Sequence, residues 1–386
     1  MDNQLKEKYG LPTAIGMVVG IVIGSGVFFK AEAVLSKTGG NMPLGILAWF
    51  IVGLVMIFCS CAFSTMATHY EDANGLVDYA DATVSKRYGY NMGWFVATIY
   101  TPCLVSALAW ISARYFCVLI GWEDQITAGS CMTMAGFLLC ISYALNALAP
   151  RLAGKFQVSC TVAKMIPLAL IGGSLVVVLV YILYYIGLHG AVSTQELMVS
   201  GQAGAKMAFQ RVFGEGAGTL VFVLIVVSCL GTLNGLTLSC CRGMYALAAR
   251  GEGPRPEMFV QVDPVTNIPT NSAVMSLVFN AAWLLYFYGA NLGGGWFGGF
   301  NFDSSELPVI TLYAMYIPMF VQLMRKGKGL GTVSRYVMPA LSVAGCLFMI
   351  YAAFAAYGVN TVFHYLIVYA VIMVVGNLLY TSRKKA

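Results

Sequence analysis

Charged residues are scarce in this sequence, and the motifs of common enzyme sites are missing. Charged side chains make up 10% of the 386 residues, whereas a soluble domain carries about 25%. The chain contains no Walker A loop, no HExxH pair and no GxSxG nucleophile elbow. Gly293, Gly295 and Gly298 match a dinucleotide fingerprint only formally, because no strand is predicted before them and no helix after them. We therefore expect neither enzymatic activity nor a cofactor.

Cysteine and histidine are placed unfavourably for metal binding. The 11 cysteines include no CxxC pair, and His69, His189 and His364 are far apart in the sequence. All cysteines except Cys131 lie within or at the ends of apolar runs. Thiols in such positions usually pack as small apolar side chains. The pattern predicts neither a metal site nor a disulfide framework.

Hydrophobic residues, in contrast, make up 59% of the chain. This fraction requires several nearly continuous apolar segments, which indicates an all-α polytopic protein whose solvent is the lipid bilayer. A barrel is disfavoured because its strands would alternate polar and apolar residues. The net charge of +6 is scattered between apolar runs instead of clustered, so nucleic acid is not an expected partner. No feature predicts an oligomeric state.

Ten apolar runs are long enough to cross the hydrocarbon core, which takes about 20 residues. Together they form one transmembrane domain over residues 1–386. The predicted spans are residues 11–29, 43–66, 92–120, 130–149, 156–188, 217–241, 270–288, 307–324, 336–357 and 361–381.

The distribution of basic residues predicts the orientation. With a cytoplasmic N-terminus, ten crossings place 16 of the 22 Lys and Arg residues inside and five at the outer face, with Lys164 within a span. Such an excess is the positive-inside pattern, so both termini are expected in the cytoplasm and the protein in the plasma (cell inner) membrane. Splitting the long run 156–188 into two crossings would reverse every later loop, which argues against that split.

The first span carries an unusual glycine pattern. Gly16, Gly20 and Gly24 recur every four residues, which favours close helix packing. Gly26 does not continue that stripe, and the sequence Gly24, Ser25, Gly26 weakens the helix by roughly 1 kcal/mol per glycine relative to alanine. A break here would expose amide groups suited to a carboxylate and carbonyls suited to an ammonium group. Packing and a ligand-binding break are both open interpretations of these residues.

Three segments carry a resemblance to a known family: AIGMVVGIVIGSGVFFKAEAV, LAPRLAGKFQVSCTVAKMIPL and SCLGTLNGLTLSCCRGMYALAARGEGPRP. They resemble the amino acid–polyamine–organocation (APC) transporters, especially the L-type amino-acid branch. The resemblance implies a five-plus-five inverted-repeat fold with two extra C-terminal helices. It also implies alternating-access transport of small or medium neutral L-amino acids, coupled to protons or to exchange. The substrate would then bind at Ile23, Gly24, Ser25, Gly26 and Val27.

Lys164 lies inside the fifth run, where a charge is costly and often functional. It stands eight residues after Phe156, so snorkelling to the inner interface is the alternative. The family resemblance implies that Lys164 takes the place of a cation between the first span and 217–241. Its possible partners there are Ser228 and Thr232.

The sequence departs from the family pattern after Lys164. KMIPL runs directly into ALIGGSLVVV, so the sixth helix and part of the fifth are expected to be deleted. The run 156–188 would then be a fusion of two family helices. Gly172, Gly173 and Ser174 could form a substitute break. The alternative to a permease is a transport-inactive shortened homologue or a membrane binding subunit.

Overall fold

A computed structural model describes residues 26–70, 75–122, 128–148, 166–200, 202–263 and 268–380. Regular structure within these ranges is helical throughout, as the sequence predicts. The helices, labelled in chain order, are α1 (Gly26–Lys37), α2 (Met42–His69), α3 (Leu76–Thr83), α4 (Lys86–Phe95), α5 (Thr101–Leu119), α6 (Ala128–Leu148), α7 (Ile166–Ala191), α8 (Thr194–Ser200), α9 (Gln202–Phe213), α10 (Glu215–Cys241), α11 (Gly243–Ala249), α12 (Pro256–Phe259), α13 (Thr270–Asn291), α14 (Leu307–Lys326) and α15 (Met338–Leu378).

Eight helical runs in the described residues are long and apolar enough to cross a membrane. They correspond to the second to tenth predicted spans, because the eighth run, Val333–Leu378, contains two of them. Gly358 separates these two with a φ of 77°, a left-handed conformation that glycine adopts without strain. The all-α multi-pass architecture is therefore confirmed. Of the first predicted span, 11–29, only the end lies in the described residues, so an interruption near Ile23 cannot be placed on this structure.

The long fifth run contributes one described helix, α7, which starts at Ile166. Its 26 residues extend about 39 Å, which is enough for one crossing. The suggested break at Gly172, Gly173 and Ser174 is wrong, because these residues are helical. Ser174 instead bonds to Ser60 of α2, with 2.8 Å between the hydroxyl oxygens.

Close packing explains why α2 and α7 lie side by side. Trp49 of α2 meets Tyr181 of α7 edge to face, with ring centroids 4.9 Å apart. One helical turn away, a Cβ on Gly53 would lie 2.7 Å from both methyl groups of Val178. Small residues on α2 thus permit a backbone approach that a larger side chain would block.

The run from Lys86 to Leu119 is the most enclosed of the eight, with 78% of its central residues buried against 22–44% in the others. A π-helical turn at Val96–Tyr100 joins α4 to α5, a feature that the sequence did not predict. The Thr98 carbonyl within this turn accepts a hydrogen bond from Trp283 Nε1 of α13 at 2.9 Å. Trp94 Nε1 donates to the Ile372 carbonyl of α15 at 3.0 Å. The run therefore forms the centre of the core.

The longer connections have the structures that their composition suggests. The polar segment 70–91 contains the short helix α3 and the start of α4. Segment 193–218 contains α8, all of α9 and the first residues of α10. The glycine-rich segment 289–305 holds only the 3₁₀ turn Gly298–Phe300 between α13 and α14. Its fingerprint-like glycines thus lie in a loop.

Candidate functional site

Four of the eight predicted site residues lie in the described part of the chain. Gly26 and Val27 are in the first turn of α1 as described, while Ser228 and Thr232 lie one turn apart on α10. Ile23, Gly24, Ser25 and Lys164 lie outside the described residues. The convergence of these groups on one site therefore stays a prediction.

Ser228 and Thr232 are half-buried on the same face of α10, because residues four apart in a helix are neighbours. The Thr232 hydroxyl donates to the Ser228 carbonyl at 2.9 Å. This bond uses the only proton of the hydroxyl, so its oxygen can act only as an acceptor towards another group. Such an oxygen suits a cation, and in particular a lysine ammonium group.

A buried polar network fixes α10 against its neighbours. Asn146 of α6 donates to the Asn234 carboxamide oxygen of α10 at 2.8 Å. One turn along α6, the Tyr143 hydroxyl lies 2.8 Å from Ser276 Oγ of α13 and accepts from Asn280 Nδ2 at 2.9 Å. Hydrogen bonds between polar groups in the apolar interior hold helices in one register. The network therefore positions the face of α10 that carries Ser228 and Thr232.

Five ionisable side chains meet at the start of α14. Lys30 Nζ of α1 lies 2.5 Å from Glu306 Oε1, and Lys37 Nζ lies 3.9 Å from Glu306 Oε2. The Tyr357 hydroxyl, next to the break at Gly358, donates to Glu306 and lies 3.5 Å from Asp303 Oδ2. We call these five residues the outer cluster, after the face to which the predicted orientation assigns them. It ties α1 to the first turn of α14 and to the break in α15.

Glu306 stays ionised over the physiological pH range. Its burial alone would raise the pKa, but Lys30, the Tyr357 hydroxyl and Lys37 outweigh burial and lower the pKa of this carboxyl to about 2. The side chains of Glu306 and Lys30 are 32% and 39% exposed, so the pair is partly screened by solvent. The sequence analysis missed this cluster. Its signal is an acidic residue directly before a span in a chain with only 16 acidic residues.

A second cluster lies at the opposite end of α14, which is about 30 Å long. Arg250, next to α11, pairs with Asp78 and with Asp81 of α3, the latter at 2.6 Å, and with Glu252 at 3.3 Å. Burial raises the pKa of Glu252 although Arg250 opposes the shift. We call these four residues the inner cluster. Lys326 of α14 donates to the Thr83 carbonyl of α3 at 2.6 Å, which joins α14 to the same assembly.

Membrane-length helices joined by buried polar contacts, with ion pairs at both ends of one helix, fit a multi-pass membrane transporter. The family model described as amino acid permease matches residues 9–172 and 163–377. The chain belongs to the amino acid permease family. The two matches together run through nearly the whole chain and share residues 163–172.

The relatives with similar sequences are amino-acid transporters. The serine/threonine exchanger SteT of Bacillus subtilis is 24% identical over 417 aligned positions, which cover 90% of this chain and 91% of the relative. These positions outnumber the 386 residues of the chain, so the alignment has gaps on this side. The human b(0,+)-type amino acid transporter 1 is 25% identical over 44% of this chain, and the Bacillus subtilis glutamate/serine transporter AimA is 25% identical over 49%. The chain spans 34% of the length of each of these last two relatives.

Proposed function

We propose that this permease moves small or medium neutral L-amino acids across the plasma membrane by alternating access. The observation that carries the proposal is the family match, which extends through both halves of the chain. SteT, which aligns over 91% of its length, is a serine/threonine exchanger, which favours small hydroxylated or aliphatic substrates and exchange. Proton coupling is the other mode that the family resemblance supports.

Substrate recognition is proposed at Ile23, Gly24, Ser25, Gly26 and Val27. Free amide groups there would bind the substrate carboxylate, because helix N-termini carry partial positive charge. Carbonyls of the preceding half-helix would bind the ammonium group. Amide groups and carbonyls at the break would thus bind the two charged groups that all amino acids share, whatever the side chain.

Lys164 is proposed to occupy the position of a coupling cation and to brace the first span against α10. The acceptor oxygen of Thr232 and the Ser228 side chain, both on one face of α10, are its proposed partners there. This arrangement links the substrate-binding backbone to a helix that the network of Asn234 and Asn146 holds in place.

The two clusters supply the closures that alternating access requires. Substrate entry from outside requires α1 to separate from α14, and therefore the Lys30–Glu306 bond to open. Release to the other side requires α3 to separate from Arg250. N- and C-termini in the cytoplasm would place the inner cluster on the cytoplasmic side.

Uptake into proteoliposomes tests the function. Purified full-length protein should accumulate labelled serine or threonine, and unlabelled amino acid inside the vesicle should accelerate uptake if exchange is the mode. An inward proton gradient should accelerate it instead if protons are coupled. Vesicles that bind labelled amino acid but do not accumulate it under either condition would contradict the proposal.

Two substitutions test the site. Gly26→Val places a β-branched side chain where backbone must approach the substrate, so binding should fall more than tenfold at every pH. Lys164→Ala removes a charge, so the pH dependence of uptake should change while part of the binding remains. Gly136→Val is the matched control, since a Cβ on Gly136 of α6 would meet no atom within 4 Å. Uptake that is indifferent to both site substitutions would rule out this assignment.

A transport-inactive shortened homologue is the second candidate. The overlap of the two family matches at residues 163–172 and the gaps in the SteT alignment favour a shortened middle segment. This candidate predicts binding without uptake in wild-type protein. Insertion of a sixth helix from a relative between Leu168 and Ala169 should then restore uptake.

A further inference from the structure

A groove of about 1050 Å³ lies between α13 and the second half of α15. On α13 its wall is formed by residues that recur on one helical face: Met275, Phe279, Ala282, Trp283 and Tyr286. On α15 the wall is also formed by residues on one helical face: Val368, Val371, Ile372, Val375 and Leu378. Several of these residues, including Val371 and Leu378 at 58% and 80% exposure, face the membrane side of the groove.

The groove has the length and chemistry of a lipid chain. From Met275 to Tyr286 the wall rises about 16 Å, close to half of the roughly 30 Å hydrocarbon core. Its polar groups already have partners within the protein. Trp283 Nε1 donates to the Thr98 carbonyl at 2.9 Å, and the Tyr286 hydroxyl donates to the Phe300 carbonyl at 2.6 Å. Between Met275 and Tyr286 the wall therefore offers an amino acid no ionic partner, whereas an acyl chain needs none.

Cationic side chains mark one end of the groove. Arg255 lines it, is exposed, and makes no ion pair with any residue in the described ranges. At the same end, next to Leu378 and Leu379, Arg87 donates to the Asn377 carboxamide oxygen at 3.1 Å. This is the side of the inner cluster, which the positive-inside pattern assigns to the cytoplasm. A phosphate at this level would complement the charge of Arg255.

We propose that the groove binds one anionic phospholipid of the cytoplasmic leaflet, with its acyl chains along α13 and α15 and its phosphate at Arg255. The lipid would fill the space between α13 and α15, two helices that both contact the central run through Thr98 and Trp94. None of the described residues that line this groove is proposed for amino-acid recognition, so lipid binding can be tested apart from transport.

Native mass spectrometry of the full-length protein with equal amounts of phosphatidylglycerol and phosphatidylcholine tests the proposal. The wild type should retain one phosphatidylglycerol in preference to phosphatidylcholine. Arg255→Gln should reduce that preference about fivefold, the effect of one basic residue at an anionic lipid surface. Ala282→Trp should reduce retention of both lipids by filling the groove. Arg325→Gln, an exposed basic residue that does not line the groove, is the control and should retain lipid as the wild type does.

Two results would overturn the proposal. Equal phosphatidylglycerol preference in wild type and Arg255→Gln would show that no headgroup binds there. Lipid retention by Ala282→Trp at the wild-type level would place the lipid elsewhere. Loss of an oligomer in that variant would identify a second copy of the chain as the occupant. Arg255 is exposed, so its variant remains informative if Ala282→Trp fails to fold.

Discussion

The Lys30–Glu306 pair yields a quantitative prediction about α1. Glu306→Gln keeps the shape of the side chain and removes its charge. A hydrogen bond to a charged group contributes about 1.5–3 kcal/mol, and a solvent-exposed ion pair contributes about 0.2–1 kcal/mol. The partial exposure of both side chains places this pair between those cases. We therefore expect the substitution to favour opening of α1 by about 1–2 kcal/mol, a factor of roughly 5–30 in the open population.

Amide hydrogen exchange of the peptide covering residues 27–37 measures this opening directly. In Glu306→Gln the exchange rate there should rise by roughly 5–30-fold. Some protection against exchange should remain, because Ala31 and Leu35 still pack in the hydrophobic cluster that contains Tyr185. Glu215→Gln is the matched control, since Glu215 is an exposed glutamate at the start of α10. The charge-swapped pair Lys30→Glu with Glu306→Lys should restore most of the protection.

The pH dependence provides an independent check. A carboxyl with a lowered pKa contributes stability above its unfolded value of about 4.3, and this contribution is lost as the pH falls through the folded value. For Glu306 the folded pKa is about 2. Between pH 5 and pH 8 the effect of the substitution, corrected for intrinsic exchange, should therefore be constant. A change of less than twofold in exchange, or an effect that disappears within this pH range, would refute the role of the pair.

Three further predictions concern other parts of the structure. Gly53→Ala should lower the thermal midpoint in detergent, because its Cβ would lie 2.7 Å from the stiff side chain of Val178. Such overpacking costs about 1–3 kcal/mol. Gly187→Ala is the control and should leave the midpoint unchanged, because the space around Gly187 is open. Arg250→Gln should destabilise the protein more at pH 8 than at pH 5, because it removes the positive charge that opposes the raised pKa of buried Glu252. A carboxyl with a raised pKa in the folded state makes the protein less stable as the pH rises and the group ionises. Equal destabilisation at both pH values would contradict this. Asn280→Leu removes the hydrogen bond to Tyr143 and should reduce the free energy of unfolding by about 0.6–2 kcal/mol, seen as a lower thermal midpoint. A neutral effect would show that the network does not brace α13.

The sequence predicted the spans well because apolar length is a local property. Nine of the ten predicted spans correspond to described helices, including the boundary at Gly358 between 336–357 and 361–381. The boundaries differ where a polar residue extends a helix beyond the membrane. The third span, for example, was predicted from residue 92, but α4 begins at Lys86, because Ser85 accepts a hydrogen bond from the Tyr88 amide and caps the helix.

The clusters at both ends of α14 could not be predicted from one sequence. Lys30 and Glu306 are 276 positions apart, and Arg250 and Asp78 are 172 apart. Periodicity contains no information on which distant helix ends meet. The π-helical turn at Val96–Tyr100 was also missed, although Pro102 gives a local signal, because it has no amide to donate to the Thr98 carbonyl four residues earlier. Trp283 of another helix donates to that carbonyl instead. The glycine and lysine candidates, in contrast, came from local irregularity and family resemblance.

A charged side chain is costly to bury in a membrane protein, and most ion pairs among the described residues lie in two clusters that α14 connects. Outside the membrane-length segments, the described acidic residues that form ion pairs do so near helix ends, at Glu306 and around Arg250 in particular. Both clusters are connected to α14, one at its first turn and one through Lys326. Pro318 lies between them and leaves the Ala314 carbonyl without its helical amide donor, the usual cause of a bend in a helix. Because the same helix contributes to both closures, a displacement of one end relative to α1 or α3 must be absorbed at this proline or transmitted to the other end.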